Sequence, residues 1–168
     1  MKKILLTLAI ICVLYNSLQA QDVIKVGDEK TITCGTTFIA EVQNYFSDGK
    51  PSSKSKMFME AKGDSLYFFE ALIDPSRENQ KVIKQTVAKK DIDQGDWGFE
   101  VSTTKVNGAA YVTLKLGTTD AKSVVTEEMH KNDEVEKYDD TNRVLIYFNS
   151  DKEAEAKAWA EKIKKMIQ

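Results

Sequence analysis

The chain of 168 residues carries 24 Lys and Arg against 26 Asp and Glu, one His, and a net charge of −2. That near balance excludes a general electrostatic pull toward nucleic acid or an anionic membrane. The length suits one domain with its own hydrophobic core, and with only Cys12 and Cys34 present, a disulfide framework is excluded.

Residues 1–20 follow the pattern of a secretory leader: Lys2 and Lys3, an apolar run from Ile4 to Leu14, then a small residue, Ala20, before Gln21. The run is too short to span a bilayer, which needs roughly 20 residues. The predicted mature part is a single β-rich domain over 21–168, extracytoplasmic (secreted or periplasmic), with no stable membrane anchor after cleavage. Cys12 sits inside the apolar run, without the small residues that lipid attachment needs, and leaves with the leader. Loss of Lys2 and Lys3 leaves 22 basic and 26 acidic residues, a net charge of −4. Cys34, in Thr31-Ile32-Thr33-Cys34 with no basic neighbour, reads as a buried core thiol rather than a reactive one.

Strands are predicted over about 31–46, 81–92 and 143–148. Pro51 and Pro75 fall in polar stretches that read as loops, and Lys50, Lys54 and Lys56 lie in the first of these. A hairpin around Gly63-Asp64 joins Met57-Phe58-Met59 to Leu66-Tyr67-Phe68-Phe69. The aromatics of 58–69 fill the core or line a barrel cavity, and core filling is the preferred reading. Asn107-Gly108 is the strongest short-range hairpin signal, because both turn positions need positive φ. A two-residue loop there pairs Val106 with Ala109, Thr103 with Val112, Val101 with Leu114, Phe99 with Leu116 and Trp97 with Thr118. Period-2 alternation puts the pairs from Thr103–Val112 to Trp97–Thr118 on one dry face, with Glu100, Ser102, Thr113 and Lys115 on a wet one.

In 121–141, Val124, Val125 and Met129 suggest a strand, but the charged run from Asp133 to Asp140 reads as a long loop. Its acidic side chains, with Glu127 and Glu128, lack the spacing of a calcium loop and read as solvated. His130 has no second His or Cys at ligand spacing, so it reads as a surface histidine. Val144-Leu145-Ile146-Tyr147-Phe148 is apolar throughout and is expected to be central. A C-terminal helix over 150–167 opens on a Ser150–Glu153 capping box. Its stripe of Ala156, Trp159, Ile163, Met166 and Ile167 must be buried, with Trp159 as the structural anchor.

The fold class is mainly β (α+β): about seven antiparallel strands in a bent sheet or barrel, capped by one amphipathic C-terminal helix. In element order this resembles a pleckstrin-homology-like barrel, carried by Val144 to Phe148 and then Ser150 to Ile167 with Trp159. The resemblance implies that the helix closes one end of the barrel with its Trp in the core. It also implies an anion-binding loop, here Lys50, Lys54 and Lys56, although the chain has Lys54-x-Lys56-Met57 where the family has a basic-x-Arg pair. The early Gly-x-Trp of lipocalin-like barrels is absent, and Gly95-Asp96-Trp97 comes too late.

No nucleophile elbow, phosphate loop, dinucleotide fingerprint or paired metal-ligand spacing occurs. The chain therefore reads as a non-enzymatic binding or interaction module, with a protein or small-molecule partner, no nucleic acid and no cofactor. The alternatives are a small-molecule-binding lipocalin-like barrel and a hydrolase with a dispersed carboxylate site.

Overall fold

A computed structural model describes residues 22–95, 97–106 and 108–168; the expected leader and Asn107 of the predicted turn lie outside them. Among the described residues eleven strands form: β1 (Asp22–Lys25), β2 (Thr31–Cys34), β3 (Thr37–Tyr45), β4 (Pro51–Lys62), β5 (Ser65–Ile73), β6 (Lys81–Ala88), β7 (Phe99–Val106), β8 (Ala109–Gly117), β9 (Val125–Lys131), β10 (Glu134–Thr141) and β11 (Arg143–Asn149). One helix, α1 (Glu153–Ile167), follows. The strands make three antiparallel sheets, β1-β2, β10-β9-β6-β5-β4-β3 and β11-β8-β7. The fold is mainly β with one C-terminal helix, as expected, but the sheets do not close into a barrel. Among the described residues no helix is long and apolar enough to cross a membrane.

The β7–β8 hairpin has the register set by a two-residue turn, from Val106↔Ala109 to Phe99↔Leu116. Gly108 takes φ +81°, which only glycine adopts cheaply. The expected pairing of Trp97 with Thr118 does not occur: the ladder starts at Phe99, Thr118 bridges Ile92, and Trp97 is 83% exposed. The expected wet face is also partly covered, since Thr113 and Tyr111 are buried.

The predicted strand over 31–46 is broken at Gly35, where a Cβ would stand 2.6 Å from the Met59 carbonyl carbon and oxygen, so this backbone passes directly against β4. The stretch with Lys50, Lys54 and Lys56 is not all loop. Pro51 opens β4, the strand position that tolerates a missing N–H. The charged run 133–140 is not a loop but an exposed edge strand, β10, reached through Asn132 and Asp133, both at positive φ. The Ser150–Glu153 capping box does not form. Lys152 N–H bonds Asn149 C=O at 3.0 Å, so Ser150 is used up in a turn, and the helix starts after Lys152 with no side-chain cap. Glu153 instead pairs with Lys157 at 2.5 Å.

Alternation gives the six-stranded sheet two different faces. Ala40, Met57, Met59, Leu66, Phe68 and Val87 join Val112, Leu114, Leu116, Val144, Ile146 and Phe148 of the other sheet in one core, which Ala156, Ala160 and Ile163 of α1 complete. On the other face Phe58, Phe69, Ala71 and Val82 are covered by the β1–β2 hairpin through Val26 and Cys34. Between β3 and β11 the link is a side chain: Asn149 Nδ2 donates to Glu41 C=O at 3.2 Å, and its Oδ1 accepts from Gln43 N–H at 3.1 Å.

Trp159 packs against the core only in part, with Lys162 Nζ 4.1 Å from its ring centre. Ile163 is fully enclosed. Chemical denaturation is therefore expected to show a loss of about 2–5 kcal/mol for Ile163→Ala, and a smaller one for Trp159→Ala.

Candidate functional site

The strands β3, β4 and β5 set Val42 beside Ser55, Ser55 beside Leu72, and Met57 beside Glu70. Reading β4 along this face gives Met59, Met57, Ser55 and Ser53, so the face changes from dry to polar within four side chains. At the polar end, β3 adds Asn44 and Tyr45, and the three-stranded sheet adds Tyr111 and Tyr147. Together they enclose a cleft of about 400 Å³, within the range of roughly 300–1,000 Å³ typical of small-molecule sites. Tyr111 and Tyr147 meet edge-on, with ring centres 6.4 Å apart and planes at 78°.

Glu70 is the one ionised-type side chain on the cleft wall. Ser55, 1% exposed, donates its hydroxyl to Glu70 Oε1 at 2.7 Å and accepts from Asn44 Nδ2 at 3.0 Å. Asn44 Nδ2 also reaches Ser53 Oγ at 3.2 Å. Burial pushes the Glu70 carboxyl above its ordinary value, the Ser55 hydrogen bond and the charge of Lys81 pull it back, and Glu127 pushes it up again. Burial also raises the Tyr147 hydroxyl, with the Glu70 charge adding to it.

A second cavity of about 210 Å³ shares Glu70 and Tyr147 with the first. Glu127 lines it and accepts a hydrogen bond of 2.6 Å from Gln85 Nε2. Phe68 and Phe69 contribute to this cavity, whereas Phe58 packs under the β1–β2 hairpin. The sequence signal for the site was a lone acid in Leu66-Tyr67-Phe68-Phe69-Glu70-Ala71-Leu72, a charge at a core-facing position of an apolar strand.

The residues singled out from sequence lie elsewhere. Lys50 is held by Asp48 at 2.9 Å, Lys54 by Glu41 at 2.6 Å, and Lys56 by Asp22 at 3.3 Å, so each meets its own carboxylate. Trp159 is on α1, away from the cleft lining. Cys34 is buried, and burial together with Asp22 pushes its thiol up to about 12. Within the acidic segment, Asp133 takes the N–H groups of Asp28 at 2.9 Å and Glu29 at 3.1 Å, while Glu128 faces Lys84 at 3.7 Å. Among the described residues no three His, Cys, Asp or Glu side chains converge as a metal site.

His130 is not a surface residue. It is 7% exposed, neither ring nitrogen has a hydrogen-bond partner, and Nε2 stands 3.6 Å from Glu128 Oε2, beyond bonding distance. Register places it opposite Val82, on the face away from Glu127. Burial holds its pKa below the ordinary value, helped by Lys30 and Lys84 and opposed by Glu128.

These two groups pull the pH dependence in opposite directions. Glu70, raised in the fold, contributes stability fully below its ordinary value of 4.5 and loses it as pH rises through the folded value. Glu70→Gln should therefore melt higher than the wild type at neutral pH, with the gap closing under acid. His130, lowered in the fold, contributes stability above its ordinary value of 6.5 and loses it as pH falls. A series of melting midpoints against pH should fall on the acid side of that value, and His130→Phe should flatten that limb.

Compared with known proteins, the chain matches no family model, no curated protein and no solved structure, so the reading of the cleft rests on its own residues.

Proposed function

We propose that this chain works outside the cytoplasm as a non-enzymatic binding module, and that the cleft between the two larger sheets holds a small organic ligand. The carrying observation is the wall itself. Three tyrosines supply apolar faces with polar tips, and a half-buried carboxyl oriented by Ser55 and Asn44 supplies one directional polar contact. The leader pattern of residues 1–20 supports the address.

The binding reading is favoured over acid–base chemistry by what surrounds Ser55. Its hydroxyl donates to an acid rather than to a histidine, and the single His is on the opposite face of the sheet. The carboxylate-hydrolase reading draws on Glu70 and Glu127 lining adjoining cavities. Turnover of ester, phosphate or glycoside substrates that is lost in both Glu70→Gln and Glu127→Gln would favour it.

The test of binding is a fragment screen followed by NMR of tyrosine-labelled protein. Hits should shift Tyr45, Tyr111 and Tyr147 and leave Tyr67 and Tyr138 unmoved, and Tyr111→Ala should weaken them about tenfold, equivalent to about 1.4 kcal/mol. Shifts confined to other tyrosines would count against the cleft. N-terminal sequencing of exported protein should begin at Gln21.

A further inference from the structure

We infer that the cleft selects an organic cation, an alkyl- or arylammonium group held against Glu70 between the faces of Tyr45, Tyr111 and Tyr147. This rests on the cleft being the binding site and goes further by naming the chemistry that fits it.

The first argument is charge. Glu70 lines both cavities and Glu127 lines the second, while no Lys or Arg lines either. Four other strand acids meet ammonium groups: Asp22 with Lys56, Glu41 with Lys54, Glu100 with Lys115, Glu128 with Lys84. The two inward acids are met only by neutral donors, the Ser55 hydroxyl and the Gln85 amide. Lys81 lowers the Glu70 pKa through its field, but it faces a separate pocket with Asp74 and Arg77. A carboxylate under a tyrosine wall without a cation is an incomplete ion pair, and a ligand ammonium completes it.

The second argument is shape. Tyr111 and Tyr147 stand nearly at right angles, edge against ring, and both line the cleft together with Tyr45. Ring faces attract cations and repel anions. Ser55 holds Oε1 of Glu70, and a primary ammonium has N–H groups to donate to the other oxygen, whereas a quaternary ammonium uses the rings alone. An anionic ligand would face Glu70 and Glu127 with no compensating charge.

The experiment compares four compounds sharing one ring: benzylamine, benzyltrimethylammonium, benzyl alcohol and benzoate. Their binding to the purified protein is measured at neutral pH by calorimetry and by tyrosine NMR. Both cations should bind about tenfold or more tightly than benzyl alcohol, and benzoate should bind most weakly. Glu70→Gln should remove the preference for cations, so that both cations bind no more tightly than benzyl alcohol to the same variant, and the melting midpoint of this variant shows that it is folded. Equal binding of all four, lost in Tyr111→Ala, would overturn the cation assignment and keep the cleft as a binding site. A cation preference that survives Glu70→Gln would overturn the role of Glu70. No response of Tyr45, Tyr111 or Tyr147 to any compound would overturn both the assignment and the cleft.

Discussion

The architecture depends on a junction that is not a ladder. β3 and β11 lie side by side, yet what joins them is the carboxamide of Asn149, one donor and one acceptor spent on the backbone of Glu41 and Gln43. A continuing ladder would make nine strands one surface and draw them toward closure, as barrels abolish their edges. Here a single amide makes the polar link between the two edges. The sheets and α1 share a dry core of Met59, Leu66, Phe68, Leu114, Ile146 and Ile163. Both sheets also line the cleft with Glu70.

What was legible in the sequence was local. The Asn107-Gly108 signal fixed the β7–β8 register because turn geometry determines pairing without help from the rest of the fold. The apolar stripe of the last helix was equally plain, since its burial needs only a periodicity. The failures have one cause each. β10 was hidden because an edge strand with no covering layer has no reason to be apolar, and charge on such an edge discourages pairing with other chains. Its turn, Asn132-Asp133, has the same left-handed chemistry as Asn-Gly and was readable on that ground. His130 was misplaced because its sequence neighbours are charged, whereas its environment is set by Val82 across the ladder. The cleft was out of reach because Tyr45, Glu70, Tyr111 and Tyr147 come from four strands of two sheets that meet only in the folded chain.

The acid on the cleft wall is a cost that the fold carries. An ionised Glu70 in this position opposes folding, because burial raises its pKa. Sites that give up stability for a directed polar group are typical of binding functions. The contrast within this chain is internal: Ser55 and Asn44 are spent on orienting that acid, while comparable effort at His130 is missing, and both of its nitrogens are left without partners.

The β1–β2 hairpin shares no ladder with either larger sheet. It is held by Val26 and Cys34 against Phe58 and Phe69, by Asp133 capping its turn, and by the Gln80 N–H to Lys25 C=O bond of 2.8 Å. Such an element opens at lower free energy than the strands beneath it. Cys34 is the buried thiol on its inner side, so a thiol reagent reaches it only when the hairpin lifts. The rate of labelling then reports the opening of this one flap, and the protein contains, in Cys34, a gauge of partial unfolding that leaves the main core intact.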